Sequence, residues 1–339
     1  MKSLPAILLT LTTTLPHQAT AHYIFSKLIL NNEPSQDWQY IRQTTRSQNY
    51  MPTKWTSTYD NLTPSDSDFR CNLGSFSYAA KTEVAEVVAG DTIAMKLFYD
   101  AEIAHPGPGQ VYMSKSPTDN VQEYQGDGEW FKIWERTICN DTGDLTKDAW
   151  CTYGMSEFEF QIPEATPAGE YLVRAEHVGL HGAQSNEAEF FYSCAQIKVT
   201  GSSKGSGTPS LTYQIPGIYN DSMTLFNGLN LWMDDVEQVK TDILDTPIGD
   251  DVWTGGSSGT SVASSTATAA AVTHAQVRTS AAGASSSSGA GSSSAPTGDS
   301  LAKHYAQCGG LNWMGPTACE SPSVCVEWNE YYSQCVVRD

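Results

Sequence analysis

The sequence has few basic residues. It contains 19 lysines and arginines against 38 aspartates and glutamates, which gives a formal net charge of -19 over 339 residues. Nucleic acids and anionic membranes are held mainly by Lys and Arg, so this balance excludes both as principal partners. A neutral partner such as a polysaccharide is compatible with it.

Long apolar runs are also missing. No stretch reaches the roughly 18 apolar residues that a membrane-spanning helix needs. The chain begins with Met1-Lys2, an apolar stretch over residues 4–11 and the small-residue pattern Ala19-Thr20-Ala21. This order is typical of a secretory signal peptide, here residues 1–21, which predicts a soluble, secreted, extracellular protein whose mature chain starts at His22.

Cysteine usage agrees with secretion. The chain has 8 cysteines, an even number, and an oxidising compartment favours disulfides over free thiols or zinc-thiolate sites. Three N-x-[ST] sequons, at Asn61, Asn140 and Asn220, predict glycosylation on passage through a secretory pathway.

Helical periodicity is scarce, and short β-rich segments dominate residues 22–255. We predict strands over residues 91–99, 170–175 and 190–199 from their β-branched and aromatic content. One helix is predicted near residues 233–244, with Asp234 and Asp235 in its first turn. Many short strands joined by long loops indicate an all-β protein with an antiparallel β-sandwich, of the immunoglobulin or fibronectin kind, as its main domain.

Composition divides the rest of the chain. Residues 256–302 are almost entirely Ser, Ala, Gly and Thr, a composition that cannot bury enough apolar surface to fold and that predicts a linker. Residues 303–339 form a second, small unit with four cysteines. So small a core needs two disulfides to hold it, and the four cysteines allow three pairings.

Two histidines suggest metal chemistry in the large domain. Cleavage before His22 would give one residue two metal-binding nitrogens, its α-amino group and its imidazole. His105 lies in the stretch Ala104-His105-Pro106-Gly107-Pro108, which its prolines and glycine force into a loop. Alone, a loop histidine is more often a solvated side chain than a ligand. Together the two residues predict a three-nitrogen, T-shaped set that suits Cu(II), whereas zinc would prefer a tetrahedral site with a fourth ligand.

The terminal unit carries the motifs Gln307-Cys308-Gly309-Gly310 and Tyr331-Tyr332-Ser333-Gln334-Cys335. With them it resembles the fungal family one carbohydrate-binding module over essentially its whole length. The resemblance implies a flat cellulose-binding face of Tyr305, Tyr331 and Tyr332, and the pairs Cys308 with Cys325 and Cys319 with Cys335.

The physical chemistry of this face agrees with the resemblance. Flat rings bury a large apolar area against the C–H faces of sugars, while Asn329 and Gln334 can supply hydrogen bonds at the edge. The alternative, that these aromatics form a core, is disfavoured because so small a unit has little interior to fill.

A series of motifs runs through most of residues 22–200. They are His22-Tyr23-Ile24-Phe25, Asp37-Trp38-Gln39-Tyr40-Ile41-Arg42, Asp68-Phe69-Arg70-Cys71-Asn72, His105-Pro106-Gly107-Pro108, Trp130-Phe131-Lys132-Ile133, Tyr171-Leu172-Val173-Arg174 and Cys194-Ala195-Gln196. In this order they are similar to the motifs of fungal lytic polysaccharide monooxygenases, auxiliary activity family nine, formerly classed as glycoside hydrolase family 61.

That resemblance implies a copper histidine brace on a β-sandwich and oxidative cleavage of β-1,4-glucans with O2 or H2O2 and an external electron donor. By it, His22 and His105 are the copper ligands, and His181 matches a histidine that helps to position the oxygen species. His177 matches no such position and is interpreted as a surface or structural imidazole. The implied disulfides are Cys71 with Cys194 and Cys139 with Cys151.

The sequence departs from the family pattern at two positions. Five and three residues before Cys194, where the family usually has Gln and Tyr, stand Glu189 and Phe191. Glu189 adds a charge that would alter redox and proton chemistry near the metal. Because strand side chains alternate, Phe191 is predicted to fill the axial side of the copper, and only a bulge or register shift would bring Tyr192 there instead.

The leading hypothesis is a monomeric copper monooxygenase that cleaves cellulose at C1, C4 or both, with one copper ion and with His181 and Glu189 assisting. An alternative is a copper- and cellulose-binding protein on the same scaffold with little oxidative turnover. A conventional glycoside hydrolase ranks last, because no pair of carboxylates stands out in a recognisable motif.

Overall fold

The computed structural model describes residues 22–56, 58–201, 207–255, 301–302, 307–309, 316–329 and 332–337. The predicted signal peptide and residues 256–300 of the predicted linker lie outside these ranges. Within them, no helix is both long and apolar enough to cross a membrane. Residues 22–255 are called the large unit, and residues 303–339 are called the small unit.

The described part of the large unit consists mainly of β-strands. They are β1 (Phe25–Leu30), β2 (Glu33–Pro34), β3 (Ala85–Val88), β4 (Thr92–Leu97), β5 (Gly109–Lys115), β6 (Phe131–Arg136), β7 (Glu157–Gln161), β8 (Gly169–Gly179) and β9 (Glu189–Thr200). One α-helix, α1, follows at Val236–Leu244. Short 3-10 helices lie at Ser67–Arg70, Ser75–Lys81, Phe98–Asp100, Val121–Glu123, Ala183–Ser185 and Pro247–Gly249.

The strands form two sheets, which confirms the predicted β-sandwich. A four-stranded sheet has the order β2-β1-β4-β7, and a five-stranded sheet has the order β3-β9-β8-β5-β6. Their pairs are antiparallel except that β3 runs parallel to β9. The main core lies between the sheets, where Phe25 and Met95 of the first sheet belong to the same buried cluster as Val173 and Ile197 of the second.

The other face of the five-stranded sheet is covered as well. Phe190, Tyr192 and Leu172 point away from the sandwich core and join a second buried cluster with residues from the long segment 215–248. The strands β8 and β9 are therefore buried on both faces, with Val173 and Leu172 both fully enclosed. Burial on both faces explains why neither strand alternates regularly between polar and apolar residues along its whole length.

The helix predicted near residues 233–244 and the strand predicted over residues 91–99 are both shorter in the structure, where they are α1 and β4. Helix α1 begins at Val236, and Asp235 is its N-cap, with its side chain accepting a hydrogen bond from the backbone N–H of Gln238. An aspartate that caps a helix in this way lies before the first turn, so placing Asp234 and Asp235 inside it was wrong. Strand β4 ends at Leu97 because Tyr99 adopts a positive φ of 55°.

The described residues form three disulfides. Cys71–Cys194 ties the loop after a 3-10 helix to the middle of β9, with a Cα–Cα distance of 5.1 Å. Cys308–Cys325 and Cys319–Cys335 hold the small unit. In that unit, β10 (Gln307–Gly309), β11 (Ser323–Asn329) and β12 (Tyr332–Val337) form a sheet in the order β10-β12-β11.

The expected fourth disulfide is not formed. Cys139 and Cys151 are thiols, although the isolated bridge between Ile138 and Trp150 brings their backbone segments together and their side chains hydrogen-bond. Burial, together with the adjacent Cys139, raises the pKa of the Cys151 thiol well above its ordinary value. Since the thiolate is the species that reacts, a protonated pair remains reduced until an oxidant acts on it.

We expect secretion to close this pair. A titration of free thiols in secreted protein should then find none, and the variant Cys139→Ser/Cys151→Ser should lose about 3 kcal/mol of unfolding free energy, because the bond closes a loop of roughly 12 residues. Two titratable thiols in folded secreted protein, removed by that variant without loss of stability, would contradict the pairing.

Candidate metal centre

The site lies where three strands of the five-stranded sheet start or end. Because β5, β8 and β9 are antiparallel, Gly109 pairs with His177 and Gly179 pairs with Glu189 at the same end of the sheet. His105 lies four residues before β5, and His181 lies two residues after β8. The pairing of the strands therefore brings His105 and His181 close to Glu189, the first residue of β9.

The loop that carries His105 is held against the loop that carries His181. The backbone N–H of Leu180 donates to the carbonyl of Pro106 at 2.8 Å, and that of Val178 donates to Pro108 at 3.0 Å. Between these bonds Gly107 has a φ of 149°, and a Cβ there would lie 1.8 Å from the carbonyl oxygen of Val178. Only glycine fits, which explains the Pro-Gly-Pro sequence after His105.

Three imidazoles converge on one carboxylate oxygen. The Nε2 atoms of His22, His105 and His181 lie 3.7, 3.6 and 3.6 Å from Oε2 of Glu189. The rings of His105 and His181 stack with centroids 4.2 Å apart. All four side chains are buried, and we call them the histidine cluster.

Electrostatics leave His22 and His181 with neutral imidazoles and Glu189 with an ionised carboxylate. Burial lowers the pKa of His22 to about 4, although Glu189 opposes the shift. The pKa of His181 is lowered well below its ordinary value, by burial and by His105. For Glu189, burial would raise the pKa, but Lys54 and the histidines together hold it well below its ordinary value.

This donor set fits a metal ion. Ligand atoms of His22, His105 and Glu189 lie within 4.8 Å of one another. Neutral imidazoles offer their ring nitrogens without first losing a proton, and imidazole suits copper, zinc, iron and nickel. The residues present are therefore compatible with a copper ion, as the sequence predicted.

Lys54 completes the surroundings of Glu189. Its Nζ lies 2.9 Å from Oε1 of Glu189 and 3.6 Å from Oε2 of Glu187. Its side chain is 13% exposed. Lys54 was not among the predicted site residues. The only signal for it was indirect: a buried carboxylate at position 189 requires a cationic partner, but nothing in the sequence identifies which cation it is.

The structure places Phe191 and Tyr192 on opposite faces of β9, without a register shift. The ring of Phe191 lies 5.8 Å from that of His22 and 5.6 Å from that of His105. Tyr192 instead points into the second core and hydrogen-bonds to Thr53 at 2.8 Å. Of the two axial candidates, Phe191 is thus the one beside the histidine cluster.

His177 is a structural residue rather than a surface one. It is fully buried, and its Nδ1 lies 2.7 Å from the hydroxyl of Tyr23, the residue after His22. Tyr23 also packs on Phe191, with ring centroids 4.3 Å apart. His177 thereby anchors the chain segment that presents His22.

Tyr59 is a second residue that the sequence analysis missed. Its ring lies edge-on to His22 with centroids 6.4 Å apart, and it is 38% exposed. Nζ of Lys54 lies 5.6 Å from the ring centroid. An aromatic side chain is therefore available at the surface beside the cluster.

The predicted cellulose-binding residues belong to the small unit. Tyr305 and Tyr331 lie outside the described residues. Asn329, Tyr332 and Gln334 lie on β11 and β12, but their side chains are outside the described part of the chain.

Comparison with known protein families decides the assignment of both units. The model of Auxiliary Activity family 9, formerly GH61, matches residues 22–238, and the model of the fungal cellulose binding domain matches residues 304–332. The chain belongs to Auxiliary Activity family 9. The AA9 family comprises copper-dependent polysaccharide monooxygenases, so this chain is an oxidoreductase with an appended binding domain.

Named relatives agree. AA9 family lytic polysaccharide monooxygenase A of Aspergillus fumigatus is 47% identical over 244 residues, which is 71% of this chain and 80% of the relative. AA9 family lytic polysaccharide monooxygenase G of Aspergillus tamarii is 48% identical and covers 94% of both chains. The crystal structure of HiLPMO9B shares the fold, with a TM-score of 0.51 and 22% identity over 62% of this chain and 92% of that one.

Because its histidines are buried, the metal-free AA9 protein should have a free energy of unfolding that depends on pH. Burial, and next to it His105, lowers the pKa of His177 from 6.5 to about 3. Between these values the unfolded chain binds a proton that the folded chain does not, so the free energy of unfolding falls as the pH falls.

Replacing His177 by Gln removes this contribution. Denaturant unfolding of the metal-free variant should therefore show a weaker loss of stability between pH 6.5 and pH 4, whereas His274→Gln in the Ser-rich segment should match the parent protein. Identical pH slopes for parent and His177→Gln would contradict the buried, neutral imidazole.

Proposed function

We propose that this AA9 protein is a secreted lytic polysaccharide monooxygenase that cleaves the β-1,4-glucosidic bonds of cellulose at C1, C4 or both. The observation that carries the proposal is the convergence of His22, His105 and His181 on Glu189 in a chain whose two units match an AA9 domain and a fungal cellulose binding domain. The substrate and the bond attacked are part of the proposal.

His22 and His105 would hold the copper ion. Removal of residues 1–21 would free the α-amino group of His22, which adds a third nitrogen to the two imidazoles. Such a three-nitrogen set suits Cu(II), which heads the affinity order of divalent metals for nitrogen ligands. Bound copper would supply one-electron chemistry with O2 or H2O2, by which a C–H bond of the glucan is hydroxylated and the chain then breaks by elimination.

The other residues control protons and water at the site. The neutral imidazole of His181 stacks on His105 and can donate or accept a proton beside the metal position. Oε2 of Glu189, ionised and 3.6 Å from Nε2 of His181, can stabilise the positive charge of that imidazole when it carries a proton. Phe191 fills the space between the rings of His22 and His105 with an apolar side chain and offers no oxygen.

Electrons must come from outside the protein. Hydroxylation with O2 consumes two electrons and two protons and releases water, so an external reductant or redox enzyme is required. The carbohydrate-binding unit would keep the AA9 domain near cellulose, because a tethered domain rebinds its substrate at an effective concentration set by the linker. The protein would act as a monomer.

Product analysis tests this proposal. Copper-loaded protein incubated with cellulose and a reductant should release oxidised oligosaccharides, aldonic acids from C1 attack or 4-ketosugars from C4 attack. The variant His105→Ala should lose this activity at least a hundredfold, because a brace with one imidazole holds copper poorly.

Other products would contradict the assignment. Absence of oxidised ends with copper and reductant present would favour a binding protein with little turnover, and reductant-independent reducing ends would favour a hydrolase.

The role of the small unit is tested by its tyrosines. In the full chain, Tyr331→Ala/Tyr332→Ala should weaken adsorption to crystalline cellulose by on the order of tenfold to a hundredfold, because two stacking rings are lost and the tether no longer acts. Copper affinity should not change. Unaltered adsorption would contradict the predicted binding face.

A further inference from the structure

We propose that Lys54 is a positioning residue of the copper site, which directs one oxygen of Glu189 at the histidine cluster and neutralises the charge of that carboxylate. The proposal rests on the proposed function in that it takes the cluster to be the copper site. It assigns a role to a residue that lies in none of the family motifs described above.

Backbone pairing sets the position of Lys54. Thr53 and Phe190 form an isolated antiparallel bridge, with N–H to O distances of 3.0 and 2.9 Å in the two directions. In an antiparallel pair, the residue after Thr53 faces the residue before Phe190. Lys54 therefore stands opposite Glu189 because of the backbone register and not because of a chance side-chain rotamer.

The residues on either side of Lys54 fix this register. The hydroxyl of Thr53 lies 2.8 Å from that of Tyr192, in the second core. Trp55 packs on Phe190 and Phe226 with ring centroids 5.1 and 5.3 Å away. Lys54 is thus held between two anchored neighbours.

Lys54 contacts only one of the two oxygens of Glu189 and so gives them different surroundings. Its Nζ lies 2.9 Å from Oε1, while Oε2 is the atom near the three imidazole nitrogens. A carboxylate with one oxygen tied to an ammonium group cannot rotate freely, so the second oxygen stays directed at the cluster.

Glu187 supports the lysine from the other side. Its Oε2 lies 3.6 Å from Nζ of Lys54, and its Oε1 accepts a hydrogen bond from the hydroxyl of Thr56 at 2.6 Å. Tyr59 lies over the same ammonium group. The cation is therefore surrounded by a second carboxylate and an aromatic face.

Charge at this place has a direct consequence for copper. A carboxylate beside the metal favours Cu(II) over Cu(I), because the extra positive charge of the oxidised ion interacts more strongly with it. The ion pair of Lys54 and Glu189 is neutral overall. It therefore places a hydrogen-bonding oxygen beside the metal without the potential shift that an uncompensated carboxylate would cause.

The test is a set of full-length variants whose copper reduction potential and Cu(II) EPR spectrum are measured. Lys54→Met should favour Cu(II) over Cu(I) by about tenfold, which for a one-electron couple is a potential lower by about 59 mV, and should change the EPR parameters. Lys54→Arg keeps the positive charge and should therefore have a potential close to that of the parent protein. Lys54→Met/Glu189→Gln, which removes both charges, should return the potential close to that of the parent.

Lys240→Met is the matched control. Lys240 also lies between two carboxylates, with its Nζ 2.8 Å from Asp141 and 3.1 Å from Glu237, but it is on α1. Its replacement should leave potential and spectrum unchanged. The proposal is overturned if Lys54→Met leaves them unchanged too, or if the double variant shifts as far as the single one.

The proposal can still be tested if the Met variants do not fold. If neither Met variant folds, Glu189→Gln alone removes the carboxylate nearest to the ammonium group of Lys54 and must favour Cu(I) over Cu(II) by about tenfold, which raises the potential. An unchanged potential there overturns the proposal.

The outcome is separable from that of the proposed function. If the parent protein oxidises cellulose and Lys54→Met has the same potential and EPR spectrum as the parent, only the role of Lys54 is refuted. A parent that binds no copper would refute the proposed function. Thermal unfolding of the metal-free variants would then still test the ion pair, which predicts a loss of stability in Lys54→Met that the double variant recovers.

Discussion

An ionised carboxylate, buried among three imidazoles, is the constraint on which the rest of the site depends. Removing a carboxylate from water is unfavourable unless cations and hydrogen-bond donors surround it. Glu189 meets this requirement through Lys54 at 2.9 Å. The same burial that would protonate an isolated carboxylate keeps the imidazoles of His22 and His181 uncharged, so the site offers neutral nitrogen ligands and one fixed negative charge.

The sandwich supplies this arrangement through backbone pairing. The adjacent strands β5, β8 and β9 carry His105, His181 and Glu189 to one end of the five-stranded sheet, and Gly107 permits the close approach of the loops between them. Tyr23 connects the segment of His22 to the same sheet through His177. The site therefore rests on buried strands, which hold side chains more rigidly than exposed loops do.

Much of this was predictable from the sequence. The β-sandwich followed from strand composition, and His22 and His105 followed from a cleavage pattern and a Pro-Gly loop, whereas His181 followed only from the resemblance to the family. Alternation along β9 was enough to separate Phe191 from Tyr192. Lys54 and Tyr59 were not predictable, because they reach the site from a loop whose pairing with Phe190 depends on tertiary packing. The start of α1 was misplaced for a local reason, since Asp235 caps the helix instead of entering it.

The central claim is that His22 becomes the first residue of the mature chain and binds copper through its α-amino group and its imidazole. Intact mass and N-terminal sequencing of secreted protein, followed by Cu(II) EPR of the same sample, test it most directly. The account predicts a chain that begins at His22 and a tetragonal Cu(II) spectrum with coupling to three nitrogens. A mature chain that begins at any other residue, or a spectrum without nitrogen coupling, would contradict it.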